Sequence, residues 1–445
     1  MEKNRTAEKS SQDTLRFIRE HRRDDVRLLA LQAHRHPTVD MPAAITQISG
    51  WQIAKEKIPA WAENEGILYP PHLSMEQCSS EMTARYKAEI VGASQQAGTF
   101  ADLTGGFGID CAFLAARFRE ATYVERQPTL CEIARHNFSA LGLDHIAVCH
   151  DDGIRHLQGM KRADWIFVDP ARRDGNGGKT VAIRDCEPDV SALEELLLEK
   201  ASHVLIKLSP MLDLALALHD LHHVQAAYVV SVHNECKELL LVLGREAKPS
   251  SCEAGPSSEE KSLPSEGKGQ SPEETELSFG EGKISSGEIP IHCVNLAASS
   301  KAQHLRFTRR EEKERPCPYT SLPKAYLYEP NASILKAGAF RSVSFLYNVE
   351  KLHPNSHLYT SDEYIPDFPG RKFRIIGSSS LNKKELKELQ ELIGAERRAN
   401  LTVRNFPASV AELRKRLKLA EGGDAYLFAT TLADERKVLL ACRQP

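Results

Sequence analysis

The chain has 445 residues, enough for roughly two to four domains with full hydrophobic cores. Its net charge of −3 at pH 7 means that any affinity for nucleic acid must come from local patches. No run of 18 apolar residues exists and the N-terminus (MEKNRTAEKSSQD) is polar, so neither a membrane span nor a signal peptide is expected.

The ten cysteines are scattered without a C-x-x-C pair, which points away from a zinc site and from a disulfide framework. The expectation is a reduced, cytoplasmic protein with no metal and no membrane partner. Along the chain, residues 1–75 read as a helical region, from TLRFIREHRRDDVRLLALQAHR onward, with Trp51 and Trp61 in a small helical subdomain. The stretch 69–91 looks like a helix preceding the first strand. TFADLT (99–104) then reads as a short buried strand and IDCAFLAARF (109–118) as a helix. Gly105, Gly106 and Gly108 lie between them, where glycine lets the chain turn tightly and lets a ligand approach the backbone at a helix N-terminus. The next strand, EATYVE, ends in Glu125, about 20 residues on, where an acid accepts hydrogen bonds from ribose hydroxyls.

The spelling argues against a dinucleotide. G-x-G-x-x-G would need a third glycine at 110 or 111, and the chain has Asp110 and Cys111. Asp102 at the strand end would repel a diphosphate but attract an ammonium. After Glu125 come a helix (QPTLCEIARHNFSAL), a strand (HIAVCH) ending in Asp151 and Asp152, and a fourth strand (DWIFVDP). Helix DVSALEELLLEKA, strand HVLIKLSP and helix MLDLALALHDL follow, then strands VQAAYVVSV and KELLLVLG. Alternating β and α elements imply a mainly parallel sheet covered on both faces, closed by an antiparallel hairpin across HNEC (233–236).

These residues resemble class I S-adenosylmethionine-dependent methyltransferases, over about residues 76–245. The resemblance implies an α/β fold with a seven-stranded Rossmann-like sheet ending in that hairpin, and S-adenosylmethionine as cofactor. It implies that Asp102, Gly105 and Gly106 line the methionine moiety, with Thr104 and Gly108 in the same loop, and that Glu125 holds the ribose. An acid of HDDG would take the adenine amino group; Asp152 is preferred because Gly153 and Leu157 follow it, with Asp151 as the alternative. Either acid could instead cap a turn.

VDPARR on the fourth strand resembles the D/N-P-P-Y tetrad of methyltransferases that act on exocyclic amino groups of bases. By that resemblance Asp169, Pro170, Ala171 and Arg172 form the catalytic turn. The Asp169 side chain and a backbone carbonyl would accept the N–H groups of a planar amine, so that catalysis is mainly positioning. Pro170 stiffens the turn. Arg172 stands where the tetrad has its aromatic, and a guanidinium can stack on a base or bind phosphate. DPAR also resembles a motif of RNA uracil-C5 methyltransferases, but those need a cysteine after the next strand, and KLSP (207–210) has Leu208 and Ser209 there. Lys207 at that strand end could face the site.

The loop DGNGGKTVAIRDCE, before Pro188, reads as a lid or as a plain exposed connection. Residues 246–290, rich in Ser, Glu, Gly and Pro, read as a disordered linker or insertion. Residues 291–366 resemble a ferredoxin-like α+β module without an iron–sulfur cysteine pattern. Residues 367–445 resemble the THUMP-like domain at the C-terminus of bacterial methyltransferases, on NLTVRNFPASVAELRKRLKLAEGGDAYLFATTL, with a capping box at Ser409 and Glu412. THUMP domains proper occur in RNA-modifying enzymes.

In 371–418 thirteen Lys and Arg face five Glu, the footprint of phosphate contact. Arg371, Lys372, Arg397, Arg398, Arg404, Arg414 and Lys415 are the RNA-binding candidates, each also readable as part of a solvated helix or strand face. The expected function is methylation of a base nitrogen in structured RNA, tRNA or rRNA. The alternatives are a methyltransferase of a small molecule or protein, and a non-catalytic cofactor- and RNA-binding protein.

Overall fold

The structure, a computed structural model, describes residues 2–92, 98–172, 182–245, 288–298, 301–394 and 396–445, with side chains from residue 12 onward except that of Arg172. Most of the expected linker, and residues 174–181 of the expected lid, lie outside the described residues. The rest falls into two compact units. One lies within Met1–Lys207, Asp220–His223 and Val242–Lys283, the other within Leu208–His219, Val224–Leu241 and Ile284–Pro445.

The first unit opens with helices Glu2–His21, Val26–Leu31 and Met41–Lys57. Asp25 and Asp40 cap the second and third by accepting backbone N–H bonds from Arg27 and Ala43. Phe17, Leu29, Met41, Ala44 and Ile48 close the core between them. Trp61 is buried edge-on against Phe107 of the glycine loop, with ring centroids 5.2 Å apart. Trp51 is half-buried and donates to the Ala62 carbonyl.

Strands β1 (Thr99–Asp102), β2 (Glu120–Glu125), β3 (Ile146–His150) and β4 (Ala163–Val168) follow, each feeding a helix that returns the chain for a parallel partner. Two short strands, β5 (Ala171–Arg172) and β6 (Cys186–Glu187), pair antiparallel just after Asp169. β7 spans Ala201–Leu208. In space β7, β4, β1, β2 and β3 lie side by side, all parallel. The central strands are apolar and buried, as Ile166, Phe167, Val168, Val204, Leu205 and Ile206 show, which both-face coverage requires. Strand order reverses between β1 and β4, so the carboxyl ends of these two strands, Asp102 and the Asp169 turn, open the crevice where α/β sheets bind ligands.

β8 (Val224–Val232) and β9 (Glu235–Gly244), which belong to the second unit as far as Leu241, form the expected hairpin. Its two-residue turn, His233–Asn234, has φ of +50° and +65°, the geometry that matches strand twist. β10 (Ile291–Leu296) lies parallel to β8, from Ile291 opposite Ala227 to Leu296 opposite Val232, and β11 (Gln303–Phe307) runs antiparallel to β10. These two strands were expected in the ferredoxin-like module; instead β10 pairs with β8 and β11 with β10. Ile291, Cys293 and Val294 of β10 and Leu305 and Phe307 of β11 are buried, which fits these strands to the edge of β8, itself buried except at Gln225.

The unit's other sheet has seven strands: β12 (Tyr326–Pro330), β13 (Glu350–Lys351), β14 (Tyr359–Ser361), β15 (Gly370–Ser379), β16 (Asn400–Arg404), β17 (Tyr426–Thr431) and β18 (Lys437–Arg443), in the order β13-β14-β12-β15-β18-β17-β16. Helices Lys383–Ile393 and Val410–Leu417 pack on it through Leu389, Ile393, Leu413 and Leu417. The second helix begins with the expected Ser409/Glu412 capping box. Gly370 is a forced glycine, because a Cβ there would stand 2.1 Å from the Glu329 carbonyl of β12. Among the described residues, no helix is long and apolar enough to cross a membrane.

Candidate active site

Asp102 ends β1 with its carboxylate 1% exposed. Oδ1 accepts the Thr104 N–H at 2.9 Å, while Oδ2 is buried with no hydrogen-bond partner. An unpartnered buried carboxylate oxygen is costly. Burial, with the nearby carboxylates of Asp110, Asp169 and Glu125, pushes the Asp102 carboxyl well above the usual carboxylate range despite the Thr104 bond.

The glycine loop wraps beside it. The Gly105 N–H donates to the Val124 carbonyl at 2.9 Å, and a Cβ on Gly105 would stand 2.3 Å from the Tyr123 ring. Gly106 has φ of +55°, and the space where its Cβ would stand is open, with no heavy atom nearer than the Thr104 carbonyl oxygen at 3.8 Å. Gly108 is left-handed as well, at the N-cap of helix Ile109–Ala115. Glu125 is the strut of the loop. Its Oε2 accepts the Gly106 N–H at 2.9 Å and its Oε1 the Gln127 N–H at 2.8 Å, which fixes a buried carboxylate at the end of β2.

The two acids of HDDG have separate tasks in the described structure. Asp152 is exposed and caps helix Gly153–Gly159, Oδ1 accepting the Ile154 and Arg155 N–H groups at 3.0 Å each. Asp151 pairs with Arg155, whose hydrogen bond holds its carboxyl below the usual range. Gly153 lets this loop press on the end of β1, because a Cβ there would meet the Leu103 carbonyl oxygen at 2.3 Å.

Thr104 joins the glycine loop to the Asp169 turn. Its hydroxyl accepts the Asp169 N–H at 2.7 Å and donates to Asp102 Oδ1 at 3.5 Å. Pro170 is buried behind the turn, and Ala171 continues into the short β5–β6 ladder opposite Glu187. Thus the structure gathers Asp102, Thr104, Gly105, Gly106, Glu125 and Asp169 at the carboxyl ends of β1, β2 and β4, with Gly153 of the HDDG loop packed against Leu103.

A set of charges behind Asp169 is not evident in the sequence. Lys207 Nζ lies 2.5 Å from Asp169 Oδ2 and 3.6 Å from Asp110 Oδ2. Asp110 also accepts from Ser79 Oγ at 2.7 Å, and Lys87 Nζ is 3.1 Å from its Oδ1. Burial alone would raise the Asp110 carboxyl, but Lys87, Lys207 and Ser79 together hold it below its ordinary value of 3.8. Two signals were available: Lys207, a strand-end lysine that could face the site, and Lys87, a lysine three and four residues from Ala84 and Val91 on the apolar face of helix Glu81–Gly92. Cys78, within electrostatic reach of Asp110 and Lys207, has its thiol pushed up mainly by burial, so it is not a poised nucleophile. Among the described residues no group of three or more His, Cys, Asp or Glu could hold a metal ion.

In the second unit the structure brings Arg371 and Arg404 together on one carboxylate. Glu329, 2% exposed, accepts from Arg371 Nε at 2.7 Å and from Arg404 Nε at 2.9 Å. Arg414 lies 3.7 Å from Glu421 and reaches the Ala399 carbonyl at 3.4 Å, beside Arg397 and Arg398. Arg397, Arg398 and Lys415 are exposed, and Lys372 is half-buried.

Residues 326–369 match the family model of a ferredoxin-like domain, and residues 370–444 that of a THUMP domain-like family. No curated protein matches the chain. A crystal structure from Porphyromonas gingivalis W83, assigned as a methyltransferase, aligns at 36% identity over 91% of this chain and 90% of that one, with a TM-score of 0.76. An rRNA methylase from Streptococcus thermophilus aligns at 13% identity over 38% of this chain and 98% of its own, with a TM-score of 0.29. Likeness at that second level carries no argument. On the first, the chain belongs to the same family as the P. gingivalis protein assigned as a methyltransferase, with ferredoxin-like and THUMP-like domains at its C-terminal end.

Proposed function

We propose that the protein uses S-adenosylmethionine to methylate a base nitrogen in structured RNA, with Asp169 positioning the target. The observation that carries the cofactor reading is Asp102 Oδ2, a buried carboxylate oxygen lacking a partner beside a loop that only glycine can line. A ligand with an ammonium would supply the missing charge, and Asp102, Thr104, Gly105 and Gly106 would hold it there. Glu125 would offer its remaining lone pairs to ribose hydroxyls, and Asp151 or Asp152 would border the adenine. Bound in this crevice, the cofactor supplies an electrophilic methyl group on a sulfonium.

The residues of the chain act by placement. Thr104 fixes the backbone of Asp169 against the glycine loop, and Pro170 restricts the turn, so the Asp169 side chain meets the crevice in a set direction. Asp169 accepts an N–H of the target amine and turns its nitrogen toward the methyl donor. Arg172 follows at the turn as the candidate stacking or phosphate group. The THUMP domain-like match and the local excess of positive charge in 371–418 support RNA as the substrate. The described cysteines are free, in keeping with a reducing cytoplasm.

One observation favours a second reading, transfer to a small molecule or protein with the THUMP-like unit structural. Arg371 and Arg404 are both committed to Glu329 and so are tied into the fold. Labelled cofactor incubated with total RNA from a strain lacking this gene, followed by nucleoside mass spectrometry, separates the two. A methylated nucleoside with its methyl on a base nitrogen is expected. Label that stays out of RNA while calorimetry shows cofactor binding would transfer the case to the second reading.

A further inference from the structure

We infer that Lys207 is a positioning residue for the proposed transfer: it grips one carboxylate oxygen of Asp169 and leaves the other, Oδ1, as the acceptor presented to the target amine. This rests on the methyl-transfer reading above. Lys207 Nζ lies 2.5 Å from Asp169 Oδ2, a close charge-assisted contact. A carboxylate at a strand-end turn rotates about its last torsion in a broad, two-fold well, so either oxygen could face the crevice. A cation fixed on Oδ2 removes that freedom, provided the cation is itself fixed.

The structure shows how it is fixed. Lys207 is the penultimate residue of β7 and its ammonium also lies 3.6 Å from Asp110 Oδ2. Asp110 is held in turn by Ser79 Oγ and by Lys87, so the charges alternate: Lys87, Asp110, Lys207, Asp169. Side-chain exposure rises along that series from 0% through 10% and 13% to 35%. The chain of charges therefore begins in the core and ends in the crevice. Burying ions costs several kcal/mol each unless they are paired. A purely structural arrangement would be complete with Lys87 on Asp110; Lys207 carries the alternation outward to the residue proposed to meet substrate.

The test uses the full chain, labelled S-adenosylmethionine and total RNA from a strain lacking this gene, read as the single-turnover rate of label entering RNA. Lys207→Met should lower that rate about 10- to 100-fold, leave the calorimetric Kd for cofactor within about threefold, and be partly rescued in Lys207→Arg. Because the effect runs through Asp169, adding Lys207→Met to Asp169→Asn should cost little beyond Asp169→Asn alone. An unchanged rate in Lys207→Met overturns the inference. So does a loss of rate matched by loss of cofactor affinity and of thermal stability, or a full additive loss in the double variant. Should Lys207→Met fail to fold, Lys207→Gln carries the same comparison. A wild-type rate retained in Asp169→Asn would instead show that the reading of Asp169 has failed, whatever Lys207 does.

Discussion

Asp102 concentrates the electrostatics of the site in one side chain. Its carboxyl titrates above the ordinary range in the folded protein, so its contribution to stability is fully present below its unfolded value near 3.8 and is lost as pH rises through the folded value. The fold therefore disfavours the carboxylate form of Asp102, and a cationic ligand relieves that penalty. Asp102→Asn should raise the melting temperature of the free protein at pH above the folded value and abolish the rise that S-adenosylmethionine produces in the wild type. Cofactor affinity in the wild type should increase with pH until Asp102 is ionised, and be flat in the variant. A variant that still gains stability from cofactor, by differential scanning fluorimetry, would contradict this. Gly105→Ala brings a methyl to within 2.3 Å of the buried Tyr123 ring. It should cost about 1–3 kcal/mol in urea unfolding and weaken cofactor binding, since overpacking shifts backbone. Asp102, the glycines, Glu125 and Asp169 were legible because each sits at a fixed offset from a strand end. Lys87, Asp110 and Lys207 were not legible as a network. They are separated by 23 and 97 residues, and no local pattern says which lysine of a helix is buried with which acid.

Between residues and whole chain, turns were easier to read than partners. The β8–β9 hairpin follows from two strands separated by too few residues for a crossover, and His233–Asn234 supplies the left-handed pair that the turn needs. The parallel pairing of β10 with β8 joins Ile291 to Ala227 across a polar stretch with no periodicity, so nothing local announces it. His292 on β10 reports on that pairing. It stacks on Tyr228 with ring centroids 4.6 Å apart, and burial, with Arg306 and His304, lowers its pKa from 6.5 to about 4. A histidine depressed in the folded state keeps its stability contribution above 6.5 and loses it as pH falls toward 4. The loss should reach on the order of 2–3 kcal/mol at pH 4. His292→Gln should flatten the pH dependence of unfolding in that window. His203, His304 and His357 shift in the same direction, so a residual slope is expected. An unaltered profile would mean that His292 is hydrated and that β10 does not seal the edge of β8.

For the molecule as a whole, net charge says little and the local distribution a great deal. The basic excess in 371–418 was visible in the sequence, but the division of labour within it was not, because Glu329 lies outside the segment and meets Arg371 and Arg404 only through the pairing of β12 with β15 and the reach of β16. Two kinds of arginine result. Arg371 and Arg404 are about 40% exposed and share a buried carboxylate, so removing either leaves Glu329 undercompensated. Each alanine variant should lose about 1–2 kcal/mol, less than the 3–5 kcal/mol of a fully buried pair because water screens the guanidiniums. Arg397, Arg398 and Lys415 are exposed. Arg397→Ala, Arg398→Ala and Lys415→Ala should leave unfolding unchanged and weaken binding to structured RNA. Each lost phosphate contact should reduce the slope of log K against log salt by about 1. Fluorescence anisotropy across a salt series reads both quantities. If the triple variant binds RNA with the wild-type slope while Arg371→Ala alone reduces it, the anchored arginines are the contact surface and the exposed ones are bystanders. If neither changes it, the C-terminal unit does not touch RNA, and the case for a small-molecule or protein substrate is the stronger one.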